Sequence, residues 1–131
     1  MGKQIICILL LISCVLPMAN RGTEMITNKY VRISASAARE KMLAYPGAVI
    51  LDVRSSREFA TGRIPGAVLI PDYALHDKAR TAIPNKNALI LVYCRSGVRS
   101  QDAAYTLLAM GYTNVFDFGG IIDWPYDIVR D

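Results

Sequence analysis

Cys94 is followed by Arg95, Ser96, Gly97, Val98, Arg99 and Ser100. A thiol here has three aids to ionisation. Gly97 lets the chain turn sharply. Successive backbone N–H groups in such a turn converge into an anion-binding nest where a helix begins. Arg95 and Arg99 add positive charge. All three favour thiolate over thiol, so Cys94 is the candidate nucleophile, and the cradle around it suits an anionic substrate. The competing reading is a buried core cysteine at the end of an apolar strand, since cysteine packs well as a small hydrophobe. The strand-end position, the glycine turn and the two arginines favour the reactive reading.

Other reactive types are sparse. His76 is the one histidine of the chain. It falls on a polar helical segment and reads as a surface residue, so activation of Cys94 must come from its own loop. One cysteine and one histidine in the domain do not make a zinc site. No metal and no cofactor are expected. Asp52 and Arg54 end another strand, where they either line a pocket or form an ion pair with the Arg57–Glu58 segment; the ion pair is favoured. Trp124 reads as core packing rather than a pocket wall.

The elements that must carry these residues follow from pattern. A helix is expected over Ser34 to Ala44, with serine as N-cap and Pro46–Gly47 as its stop. Ala48 to Val53 is a continuous apolar run, and Ala88 to Tyr93 is another; each reads as a strand buried on both faces. Ser55 to Ala60 is a short helix ended by Gly62. Val68 to Ile70 is a short strand, and Asp72 to Ala79 a second short helix. Ser100 to Met110 is a helix with Ser100 as its cap and Gly111 at its C-terminal end. Its inward face carries Ala104, Leu107 and Leu108. Asn114 to Phe118 is the last strand, and Gly119–Gly120 turn the chain. Helices alternating with apolar strands argue for an α/β domain with a mainly parallel sheet and helices on both faces. In such sheets, ligands bind beyond the carboxyl ends of the strands, where Cys94 stands.

Composition bounds the rest. The chain has 131 residues, a single-domain length, and a mean hydropathy of +0.27. The apolar excess lies at the N-terminus: 13 of the 15 residues from Ile5 to Ala19 are apolar. That run follows Lys3, is too short to span a bilayer comfortably, and contains Pro17, which fits an export signal. Leu11-Ile12-Ser13-Cys14 resembles the lipobox of bacterial lipoproteins, in which the cysteine is acylated; a plain signal peptide is the alternative. Cys7 is an apolar filler of the same run. Residues 1–19 are thus read as a leader, 20–30 as a polar linker and 31–131 as the folded domain. Export to the periplasm or cell envelope is expected, with a membrane tether if Cys14 is acylated. The charge of about +3 beyond the leader is dispersed, which argues against a nucleic-acid partner.

Four segments, in order, resemble a single-domain rhodanese. They are Leu51-Asp52-Val53-Arg54, Phe59-Ala60-Thr61-Gly62-Arg63-Ile64-Pro65-Gly66-Ala67, Tyr93-Cys94-Arg95-Ser96-Gly97-Val98-Arg99-Ser100 and Gly119-Gly120-Ile121-Ile122-Asp123-Trp124. The resemblance runs from about Ile33 to Val129. Arg63 departs from it, since the family usually has histidine before Ile-Pro-Gly-Ala; the expected consequence is structural. The resemblance implies a rhodanese-like fold and a thiosulfate sulfurtransferase. The Cys94 thiolate would attack the outer sulfur of thiosulfate, expel sulfite and pass the persulfide sulfur to cyanide or a thiol. Backbone N–H groups of Arg95 through Ser100 would stabilise the persulfide, and the Arg95 and Arg99 side chains would orient the sulfonate. A non-enzymatic persulfide carrier or docking module is the alternative. A phosphatase or arsenate reductase needs arginine six positions after the cysteine; Ser100 stands there, and Arg99 comes one position too early.

Overall fold

The computed structural model describes residues 29–131. The leader, Cys14 and most of the linker lie outside them. Four strands form one parallel sheet in the order β2-β1-β3-β4: β1 Val49–Asp52, β2 Val68–Leu69, β3 Ile90–Cys94 and β4 Val115–Gly120. The helices are α1 Ala35–Ala44, α2 Ser56–Thr61, α3 Leu75–Ala82 and α4 Val98–Ala109. Two single 3₁₀ turns, Asp72–Ala74 and Ile121–Asp123, follow β2 and β4. The expected α/β architecture is present.

β3 is central and buried along its whole length. Side chains alternate across a strand. Ile90, Val92 and Cys94 therefore join one core cluster, with Leu75 and Ala79 of α3 and Ala104 and Leu107 of α4. Leu91 and Tyr93 join the other, with Ala38 of α1, Ile64 and Phe118. Burial on both faces explains why this strand reads as an unbroken apolar run. The same alternation places Cys94 on the α4 side of the sheet.

Local signals set the helix ends. Ser34 caps α1 by accepting from the Ala37 N–H at 3.1 Å, and so stands just outside the helix. Ser55 and Glu58 form a reciprocal capping box at α2. The expected second short helix divides into the Asp72–Ala74 turn and α3, which runs on to Ala82.

Two boundaries bear on the site. α4 starts at Val98, two residues before the expected Ser100. Gly97, at φ +102, turns the chain so tightly that helical bonding begins at once, with the Gln101 N–H donating to the Gly97 carbonyl at 3.3 Å. β4 continues through Gly119 and Gly120, which remain in the ladder: Cys94 pairs with Gly120 across a local irregularity of the register. Tyr30, read as linker, is docked on the domain, its ring stacked on Tyr105 with centroids 5.0 Å apart.

Candidate active site

Cys94 closes β3, and its side chain is fully buried. The core-cysteine reading is therefore met as far as burial goes, but the sulfur has polar company. The Gly97 N–H donates to Sγ at 3.0 Å, and Ser100 Oγ lies 3.5 Å from it. Arg95, Ser96 and Gly97 carry the chain over the sulfur and into α4. The first helical bond belongs to Gln101, so the N–H groups of Val98, Arg99 and Ser100 are helix-start donors without helical acceptors. The positive end of the α4 dipole adds to them. This end of the loop is built to hold negative charge.

Ser100 corrects the sequence expectation. It sits inside the first turn of α4 and does not cap it; Gly97 holds the cap position with no side-chain bond. Buried Ser100 instead spans Cys94 and β4, its hydroxyl donating to the Gly119 carbonyl at 3.4 Å.

The two arginines of the loop have different surroundings. Arg99 is held by Glu58 in a bidentate pair, at 2.7 and 2.9 Å. Hydrogen bonding from Arg99 lowers the Glu58 carboxyl from its usual 4.5 to about 2. The Arg99 side chain is thus committed to α2 rather than free to meet a sulfonate. Arg95 is exposed and forms no ion pair among the described residues.

Asp52 and Arg54 also correct the expectation. They do form an ion pair, but with each other, at 2.7 Å, while Glu58 turns to Arg99. Asp52 accepts from the Arg54 backbone and guanidinium, and Arg54 Nη2 also donates to the Gly62 carbonyl at 2.6 Å. Both are buried, so the pair fastens the end of β1 to the end of α2. Tyr93 lies beside this pair, on the sheet face opposite Cys94: Arg54 stands 5.6 Å from its ring, its buried hydroxyl accepts the Ile64 N–H at 3.2 Å, and burial raises its pKa, with Asp52 adding to the shift.

The glycines that end β4 are what let the loop close. A Cβ on Gly120 would fall on the Arg95 carbonyl and against Ser96 Cα. The Ile122 N–H donates to that same carbonyl at 3.3 Å. Behind the loop lie residues with no local signal in the sequence. Arg32 pairs with buried Asp117 at 2.8 Å and donates to the Gly97 carbonyl at 2.7 Å. Only the diglycine hinted that another backbone comes close here.

The remaining candidates lie elsewhere. His76 is exposed, 3.8 Å from Asp77. Trp124, only partly buried, packs on Phe118 and Tyr126 at the edge of the core and, against the expectation, also walls a separate cleft of about 250 Å³ with Arg39, Met42, Ile50 and Ile64. Arg63 has a structural role: it pairs with Asp131 at 2.8 Å, and its backbone bridges Val129.

Comparison with known proteins agrees with this geometry. The family model described as "Rhodanese-like domain" matches residues 34–125, more than half of the chain. Thiosulfate sulfurtransferase PspE of Escherichia coli strain K12 is 37% identical over 73 residues, which is 56% of this chain and 70% of that protein. Thiosulfate sulfurtransferase GlpE of Ectopseudomonas mendocina is 34% identical over 93 residues, covering 71% and 82%. Among solved structures, a rhodanese with anions from E. coli superposes with a TM-score of 0.61 at 33% identity, over 64% of this chain and 99% of that one. A rhodanese-related protein from Thermoplasma volcanium reaches a TM-score of 0.67 at 30% identity, over 78% and 100%. With a thiol at the end of a parallel strand under a glycine-turned helix start, and with these matches, the chain belongs to the rhodanese-like domain family and is a sulfurtransferase of that type.

Proposed function

We propose that this protein takes sulfane sulfur from thiosulfate and passes it on through a persulfide on Cys94. The Cys94 thiolate attacks the outer sulfur of thiosulfate. A new S–S bond forms as the old one breaks, and sulfite departs with the electron pair. The persulfide sulfur, now anionic, lies against the N–H groups of the loop. Cyanide or a thiolate then attacks that outer sulfur, and the Cys94 thiolate leaves. Two displacements replace one difficult transfer.

The carrying observation is the Gly97 N–H at 3.0 Å from Cys94 Sγ, at a helix start whose Val98, Arg99 and Ser100 N–H groups have no acceptor within the helix. Preorganised donors stabilise anionic sulfur without reorganising during the reaction. The relatives named for thiosulfate supply the donor class. The test is steady-state thiocyanate formation from thiosulfate and cyanide. The wild type turns over and Cys94→Ser does not; activity retained in Cys94→Ser overturns the mechanism. Loading of one sulfur per chain without turnover would make the protein a persulfide carrier instead. A phosphatase reading is disfavoured by Ser100 at the sixth position and by the attachment of Arg99 to Glu58.

We further propose export to the cell envelope on the leader at residues 1–19, in one of two forms: acylation at the lipobox-like Cys14, or cleavage as a plain signal peptide. Intact mass of protein taken from its native cell envelope reports cleavage before Cys14 with added acyl mass in the first form, and a shortened chain without acyl mass in the second. A full-length unmodified N-terminus overturns the proposal.

A further inference from the structure

A dense polar cluster lies behind the loop of the thiol, and the displacement chemistry does not use it. Asp117 on β4 is fully buried. Its Oδ2 accepts from the Tyr30 hydroxyl and from Arg32 Nε and Nη2, the latter two at 3.2 and 2.8 Å. Its Oδ1 accepts from the Gly119 N–H at 2.8 Å. Both carboxylate oxygens are engaged and the group is buried, so the carboxylate is a fixed anchor. The Arg32 and Asp117 backbones also pair in a parallel bridge. From this anchor Arg32 Nη2 reaches the Gly97 carbonyl at 2.7 Å. An arginine fork can bind two acceptors at once in fixed geometry, which a lysine ammonium does not reproduce.

The Gly97 carbonyl and the Val98 N–H are two ends of one trans peptide and point in opposite directions. Drawing the carbonyl onto Arg32 turns the Val98 N–H away from Arg32 and polarises it as a donor. Gly97 has no side chain to select its conformation and stands at φ +102. Glycine is the residue that most needs an outside contact to hold one orientation. Arg32 packs directly on it: a Cβ built there would lie 3.1 Å from the guanidinium nitrogens.

We propose that Arg32, anchored by Asp117, is a positioning residue for sulfur transfer: it clamps the Gly97 carbonyl and thereby holds the Gly97–Val98 peptide with its one donor, the Val98 N–H, turned toward the Cys94 side of the loop. This rests on the Cys94 chemistry proposed above. Arg32 touches neither the sulfur nor the donor; it acts through the peptide.

The experiment uses the full chain and the variants Arg32→Ala and Arg32→Lys. Single-turnover loading of Cys94 from thiosulfate is followed by mass. Backbone amide shifts of Val98 and exchange rates of Gly97 and Gln101 are followed by NMR. Arg32→Ala is expected to load about 10-fold more slowly, less than the loss on deleting a donor outright. Its Val98 resonance shifts, and Gly97 and Gln101 exchange faster. Added guanidinium ion restores part of the rate and moves the Val98 resonance back. Arg32→Lys stays close to Arg32→Ala. Wild-type loading with an unmoved Val98 resonance in Arg32→Ala overturns the proposal, and so does full recovery in Arg32→Lys. Should Arg32→Ala fail to fold, Tyr30→Phe removes the hydroxyl that donates to Asp117 and accepts from Arg32 Nε at 2.9 Å, leaving the Arg32–Asp117 pair in place; a smaller loss in the same direction is expected, and no change overturns the clamp. If wild-type protein takes no sulfur from thiosulfate, the donor reading has failed, while the amide measurements still decide the clamp.

Discussion

Arg95 and Arg99 follow the same cysteine within five residues, yet among the described residues only Arg99 has an ion-pair partner. Arg99 meets Glu58, whose place in the α2 capping box had already turned its carboxylate toward the helix start. The pair is partly exposed, so its stability value is that of a favourable surface pair, about 0.5–1 kcal/mol. Its pH dependence is more distinctive. The folded Glu58 carboxyl is lowered from 4.5 to about 2. The stabilisation is therefore complete above pH 4.5 and is lost as pH falls toward 2. Glu58→Gln keeps a side chain suited to the capping box and removes the charge. Thermal melts should show the variant less stable at neutral pH, with the gap to wild type closing between pH 4.5 and 2. A gap that stays constant over that range would show that the pair contributes nothing.

At the scale of elements, the cradle depends on two backbone approaches rather than on side-chain chemistry. β4 reaches the loop because Gly120 lies where no Cβ fits, against the Arg95 carbonyl and Ser96. The obstruction is backbone and has no flexible end that can move aside. Gly120→Ala must push the loop or the end of β4 away. A cost of about 1–3 kcal/mol is expected, as for other overpacked sites. Urea unfolding checks the cost, and the Cys94 sulfur-loading rate should fall further than stability alone explains. Gly97→Ala combines a strained positive φ with the Arg32 contact, and about 1–2 kcal/mol is expected from the backbone alone. The early start of α4 has the same origin. Gly97 both turns the chain and provides its carbonyl to Gln101, which draws Val98 and Arg99 out of the loop and into the helix.

For the whole molecule, buried charge marks where distant parts of the chain are joined. Asp52 and Arg54 tie β1 to Gly62 at the end of α2, and Asp117 ties β4 to the segment before α1. Asp52 and Arg54 are both buried, so removing either strands the other; in the second joint Asp117 is buried and Arg32 half-exposed, so the costly break is the loss of Arg32. Asp52→Ala should cost about 3–5 kcal/mol, measured by denaturant unfolding. A change below about 1 kcal/mol would mean that Arg54 finds other partners. Leu107→Ala, in the cluster shared by α4 and β3, should cost about 2–5 kcal/mol by leaving a cavity beneath the site.

Pattern within a few residues was enough to read much of this protein. The apolar runs of β1 and β3 show the two-sided burial of a parallel sheet; Ser34 and Ser55 mark helix starts; and the Cys94–Gly97 spacing places a thiol under a helix start. These signals are legible because they arise from contacts between near neighbours. Charge partners were not. Glu58 and Arg99 are 41 residues apart, Arg32 and Gly97 65, and Arg32 and Asp117 85. Nothing local distinguishes Arg32 from a surface arginine, or tells Glu58 to take Arg99 rather than Arg54. The sequence by itself determined an α/β domain with a strand-end cysteine as its candidate nucleophile. Only the tertiary structure decided which arginine is paired and which residues hold the loop, because an ion pair goes to the opposite charge that folding brings within reach.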